Sequence, residues 1–373
     1  MLQGKAIWDK KTRVELTDII RFQDTWYCGF READQHGWDV GQRPGKVRII
    51  RSKDTEQWES VALFSWEGAD LREPRLAVTA EGALMADVSV TFRHGDRSAT
   101  TDTEPSVFRQ TVTWLSPDGE RWSSAYACPT GVNTCRWATT WHDGMGYGVG
   151  KIGKDRSGTL YRTRDGKTWR VLLKDMVTRF DPRASADEAT LAFDDEGVAY
   201  CMMRDAIPRA KLGGVVRDSD GHHVKKGEGH KTIGADLPML GIGKPPYYQE
   251  WEWKELTVDY GAEHGGPRPA EEVFRAPFGG PDIIVLSDGR LVAAARMLGP
   301  GRDDGHITLF TVDPEKALLT LVDECTGTTY GGILEHDGKV WVSHAETMHR
   351  DRVNMPGDER VIRLASVDMQ RLP

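Results

Sequence analysis

The sequence predicts an all-β chain folded as a six-bladed β-propeller, and three observations carry that expectation. Forty Gly and 13 Trp are many for 373 residues. Short apolar segments recur around acidic-Gly turns instead of at helical spacing, which is how strands read. A strand-turn-strand unit can also be followed six times along the chain, at intervals suited to blades of four antiparallel strands.

The units come in order. Asp18-Ile19-Ile20 turns at Gln23-Asp24 into Trp26-Tyr27-Cys28, and Arg75-Leu76-Ala77-Val78 turns at Glu81-Gly82 into Ala83-Leu84-Met85. Ala138-Thr139-Thr140-Trp141 turns at Asp143-Gly144, and Thr190-Leu191-Ala192-Phe193 turns at Glu196-Gly197 into Val198-Ala199-Tyr200. Ile283-Ile284-Val285-Leu286 turns at Asp288-Gly289, and Ile333-Leu334 turns at Asp337-Gly338 into Val340-Trp341-Val342. Glycine supplies the positive φ that tight hairpin turns demand. Turn positions 24, 82, 144, 197, 289 and 338 lie 58, 62, 53, 92 and 49 residues apart. The wide interval holds residues 205–250, rich in Gly, Lys and His, which read as a long loop inserted in blade four of a single domain spanning 1–373. The segment Ala6-Ile7-Trp8 is expected to add a strand to the last blade and close the ring.

A second repeat overlies the first. Ser52 to Trp58, Ser116 to Trp122 and Thr163 to Trp169 share a Ser/Thr-x-Asp-x-x-x-Trp frame, each late in its blade. The Asp suits acceptance of turn amides and the Trp suits packing beneath the turn, so these residues hold hairpins.

Composition narrows the functions. With 49 Lys+Arg against 57 Asp+Glu, a net charge of −8 and no basic block, nonspecific nucleic-acid or membrane-surface binding is not indicated. No apolar run reaches the ~18 residues of a membrane span. Met1-Leu2-Gln3-Gly4-Lys5 lacks the apolar core of a secretory signal, so the chain as written reads as cytoplasmic, or as secreted or periplasmic if a signal was removed. The five cysteines include no CxxC and read as buried thiols. His222, His223 and His230 read as a solvated loop, and no metal or cofactor is called for.

The Ser/Thr-x-Asp-x-x-x-Trp frame resembles the Asp box of the sialidase (BNR-repeat) superfamily, whose members are six-bladed propellers. Leu71-Arg72-Glu73-Pro74, Glu188-Ala189-Thr190-Leu191 ahead of Arg204, Gly280-Pro281 ahead of Arg296, Thr329-Tyr330-Gly331-Gly332, and Lys244-Pro245-Pro246-Tyr247 followed by Trp251 extend the resemblance over nearly the whole chain. It implies that Tyr330 is a nucleophile, that Glu188 takes its proton, and that Arg204 and Arg296 are two of three arginines clamping a substrate carboxylate. A phenol with an ordinary pKa near 10 needs such a carboxylate partner to attack. The family's first arginine opens blade one in an Arg-Ile-Pro, where this chain reads Leu16-Thr17-Asp18-Ile19.

Arg31 or Glu32 in the next strand is a candidate to reach the axis instead, and Arg72 or Arg75 to complete an anion clamp. The resemblance places the acid/base in the following loop, where Asp34, His36 and Asp39 stand; Asp18 and Glu32 are further candidates. Tyr247, Tyr248, Trp251 and Trp253 could stack on sugars or serve as core.

The expected function is a glycoside hydrolase of sialidase-like fold, exo-acting with retention on a terminal acidic or polar sugar, with a glycan as partner. A non-catalytic carbohydrate-binding propeller and a uronic-acid polysaccharide lyase are the alternatives.

Overall fold

The fold is a six-bladed β-propeller, seen in a computed structural model. It describes the chain except residues 35–42, 94–106, 153–154, 181–183, 185, 208–214, 218–222, 226–236, 270–278, 298–305, 328 and 349–357. Among the described residues the helical elements are three single 3₁₀ turns, and no helix is long and apolar enough to cross a membrane.

Blade one runs outward through Arg13–Phe22, Thr25–Ala33, Lys46–Ser52 and Glu59–Phe64, and blade two through Ala69–Val78, Leu84–Arg93, Val107–Ser116 and Tyr126–Ala127. In blade three Thr134–Arg136 and Thr140–His142 share the innermost place, both pairing with Met145–Ile152, and Asp155–Thr163 and Trp169–Leu173 follow. Blade four is Ala189–Phe193, Ala199–Ile207, Leu237–Gly243 and Trp251–Glu255. Blade five is Gly279–Val285, Leu291–Met297, His306–Asp313 and Leu318–Cys325, and blade six begins with Gly332–His336, Lys339–Thr347 and Arg360–Asp368. The N-terminal strand Lys5–Trp8 supplies blade six's outer strand, pairing Lys5 with Leu364 and Ala6 with Arg363. This union of the two chain ends covers what would otherwise be an unpaired edge.

Alternation along each strand puts apolar side chains on both faces of a blade, so the core lies between neighbouring blades. Ile49, Val88, Val112 and Trp114 fill the gap between blades one and two, and Val292, Leu309, Val340 and Val342 that between five and six.

The stretch 205–250 is not one loop. Leu237–Gly243 within it is the third strand of blade four, because it pairs with Ala199–Ile207 in continuous register from Ala199↔Gly243 to Met203↔Met239. The extra chain lies ahead of that strand and includes a small ribbon, Val215–Arg217 against His223–Lys225. The wide interval also holds Thr257–Asp259, which joins blade five by running parallel to Leu318–Cys325, with Arg268–Pro269 beside it. His222 and His230 lie outside the described residues.

The repeated turns are built alike. Asp54 Oδ1 accepts the Glu56 and Gln57 amides, Asp118 Oδ1 those of Glu120 and Arg121, and Asp165 Oδ1 those of Lys167 and Thr168, all at 2.7 to 3.0 Å. A fourth turn, between the last two strands of blade five, has the same bonds from Glu315 and Lys316 to Asp313 Oδ1. It carries Ala317 in place of the tryptophan.

Candidate active site

The first strands of all six blades line a central channel. In blades one, two and five the pairing of first and second strand slips at one place, between Glu15 and Asp18, Arg72 and Arg75, and Gly279 and Asp282. The first of the two residues inside each slip has a left-handed backbone, with φ of 59° at Leu16, 52° at Glu73 and 55° at Gly280. Just below, each aspartate clasps the next blade: Asp18 Oδ2 accepts the Leu76 amide at 2.6 Å, and Asp282 Oδ2 accepts that of Ile333 at 3.0 Å.

These bonds set the blades in register. Asp18, Arg75, Asp282 and Gly332 share one level around the axis, and Leu16, Glu73, Gly280 and Tyr330 stand at the level above. Glu188 joins the upper level, since Glu73, Glu188 and Gly280 each stand nine residues ahead of a turn glycine, Gly82, Gly197 and Gly289.

At the upper level Tyr330 Oη donates to Glu188 Oε1 at 2.6 Å. Arg204 Nη1 donates to both, 2.8 Å to Glu188 Oε1 and 2.7 Å to Tyr330 Oη. The Gly280 amide donates to Glu188 Oε2 at 2.8 Å. Tyr330 is 9% exposed and Glu188 6%, so both side chains are largely withdrawn from solvent. The Arg296 guanidinium lies over the Tyr330 ring, 5.3 Å from its centre.

Glycine at 280 is required twice over. A Cβ there would come within 2.0 Å of the Tyr330 ring, and the left-handed φ is one that side chains resist.

Burial pushes the Tyr330 phenol far above its ordinary value; Arg204 and Arg296 pull it down, while Glu188 and Glu73 add to the rise. Arg72 reaches the same charge group. Burial opposes its charge, but Glu73, Glu15, Asp70 and the Tyr330 phenol outweigh that and raise its pKa. Asp70 Oδ2 lies 3.8 Å from its Nη1 and Glu73 Oε1 3.9 Å from its Nε.

Other expected site residues fall elsewhere. Arg31 is fully buried, giving Nη1 to Glu15 at 2.6 Å, Nη2 to Asp70 at 2.7 Å and Nε to the Leu71 carbonyl at 3.2 Å. It ties blade one to blade two and presents no surface to a ligand. Strand alternation turns Glu32 the opposite way, where it pairs with Arg48 at 2.6 Å in a groove at the outer rim with Lys11, Asp34 and Arg43. Neither reaches the axis.

Asp18 does reach it, but one level below Tyr330, with both oxygens accepting backbone amides, those of Ile19 and Leu76. Arg75 lies beside it, 3.8 Å from both Asp18 and Asp282. Asp34 pairs with Arg43, and Asp39 and His36 lie outside the described residues. Tyr248 and Trp253 are core, whereas Tyr247 is exposed.

Glu73 was not among the expected site residues, though it stands at the upper level with Glu188 and Tyr330. The signal was its spacing to Gly82, the same as that of Glu188 to Gly197.

No protein-family model matches the chain, and no curated protein matches its sequence. Solved structures do match in fold. The chain is similar to a protein of unknown function from Dyadobacter fermentans, at 15% identity over 99% of this chain and 98% of that one, with a TM-score of 0.67. It is also similar to a Penicillium chrysogenum α-L-arabinanase complexed with arabinobiose, at 14% identity over 100% and 99%, with a TM-score of 0.61. A Hadza microbial sialidase matches at 12% identity over 96% of this chain and 66% of that one, with a TM-score of 0.58. The structural neighbours thus include glycoside hydrolases built as propellers.

Proposed function

We propose that the protein is a retaining, exo-acting glycoside hydrolase that uses Tyr330 as its nucleophile on a terminal acidic or polar sugar. The observation that carries this reading is the triangle of Tyr330, Glu188 and Arg204, in which Tyr330 and Glu188 stand just ahead of first strands that line the axial channel, with all three sides between 2.6 and 2.8 Å. A buried phenol does not ionise by itself near neutrality. It becomes a nucleophile when Glu188 takes its proton as the bond to the anomeric carbon forms, and the 2.6 Å contact is already within the reach that transfer needs. Arg204 then faces an oxygen gaining negative character, and its bond to Glu188 holds the base in place.

Arg204, Arg296 and Arg72 gather positive charge around this point in a chain of net charge −8. Planar guanidinium groups suit a carboxylate or a row of ring hydroxyls. That arrangement supports an acidic sugar as first choice, with a neutral pentose such as the arabinose of the structural neighbours as the second.

The test is turnover on 4-nitrophenyl glycosides of N-acetylneuraminic acid, glucuronic acid and L-arabinofuranose. Tyr330→Phe and Glu188→Gln should each lower turnover about 10²–10⁴-fold with an unchanged melting temperature. Full activity in Tyr330→Phe would falsify the mechanism. On a 4-linked polyuronate, where the chain beyond O4 can leave, an unsaturated uronic acid absorbing in the ultraviolet would point to elimination instead.

A further inference from the structure

We propose that Glu73 is the general acid/base of the axial site, an inference that rests on the glycosidase reading above. Four observations converge on it. Glu73 occupies in blade two the place that Glu188 holds in blade four and Tyr330 in blade six, so the three side chains spring from one level of the ring. Its backbone is left-handed, a conformation that the equivalent place in blade five fills with Gly280. A glutamate held there against its preference marks a position where the side chain's aim matters more than local comfort.

Its carboxylate is only loosely engaged. Arg72 Nε at 3.9 Å is an ion pair beyond hydrogen-bond distance, and among the described residues no hydrogen bond to the Glu73 side chain is present. A carboxyl group with unused oxygens, partly open to solvent and close to Arg72 and Arg75, is equipped to give and take a proton. Its competitors are placed otherwise: Glu32 is turned to the outer rim, and Asp18 sits a level lower with both oxygens on backbone amides.

The steps balance. Tyr330 oxygen bonds to the anomeric carbon as its proton passes to Glu188, the bond from that carbon to the departing oxygen breaks, and Glu73 gives that oxygen its proton. Water then attacks the same carbon, losing a proton to Glu73, while the Tyr330–carbon bond breaks and Glu188 returns the proton to the phenol. Glycoside and water become free sugar and alcohol, and every protein group ends as it began.

The experiment compares phenyl and 2,4-dinitrophenyl glycosides of the three sugars above, read as kcat/KM, which reports the first bond-breaking step. Phenoxide needs a proton to leave and dinitrophenoxide does not. Glu73→Gln should therefore lose about 100-fold or more on the phenyl glycoside and less than about 10-fold on the dinitrophenyl one. Azide should raise kcat of Glu73→Ala on the dinitrophenyl substrate, by replacing the water that has lost its base. A residue that merely supports the fold would lower both substrates alike and give no rescue.

An equal fall on both leaving groups, or none, with Tyr330→Phe inactive, overturns the Glu73 assignment and leaves the hydrolase standing. A fully active Tyr330→Phe, or wild-type protein inert on all three sugars, overturns the hydrolase and Glu73's role with it.

Discussion

A carboxylate on the axis is a stability switch as well as a site feature, and Asp18 shows this at the residue scale. Burial raises its pKa to about 7, with Arg75 pulling down and Asp282 pushing further up. In the unfolded chain an aspartate releases its proton near pH 4, so between about 4 and 7 the folded state holds a proton that the unfolded state lacks. Stability from this group is therefore complete below about pH 4 and is lost as pH rises through about 7. Melting temperatures from pH 5 to 8 should fall more steeply for wild type than for Asp18→Asn, which resembles the protonated acid; parallel slopes would remove Asp18 from the explanation. The same scale shows what sequence hides. Arg31 is a reasonable axial candidate by type and position, but its partners, Glu15, Asp70 and the Leu71 carbonyl, come from two blades that meet only in the folded ring.

Elements were more legible than residues, because turns are local. Acidic-Gly pairs located five blades and the Gln23-Asp24 turn the first, and the three Asp-x-x-x-Trp frames named hairpins whose amide bonds are there in the structure. The fourth such turn, at Asp313, was missed because Ala317 replaces the indole that made the others visible. The tryptophans are also unequal. Trp169 is fully buried, donates its indole N–H to the Gly166 carbonyl at 3.2 Å and carries the Arg136 guanidinium 4.0 Å above its ring. Trp122 is half-buried, with no partner for its indole N–H among the described residues. Trp169→Ala should cost about 3–5 kcal/mol and Trp122→Ala distinctly less, measured by denaturant unfolding. Equal losses would mean that the turn, not the packing, sets the cost.

At the scale of the whole molecule, the ring brings together residues far apart in sequence: Glu73, Glu188 and Tyr330 come from three blades and meet at one level because inter-blade bonds such as Asp18 to Leu76 fix the register. Six blades and the closing strand Lys5–Trp8 could be read from spacing and pattern, since both are properties of single segments. The level could not, since it exists only once the blades stand side by side. The most direct measurement of the central proposal is covalent trapping. Protein is incubated with activated fluorosugar fluorides of the three sugars, whose second step is slow, and the modified peptide is sequenced by mass spectrometry. A single glycosyl adduct on Tyr330, absent from Tyr330→Phe, is the expected result; an adduct on Glu188 or any other side chain would contradict it.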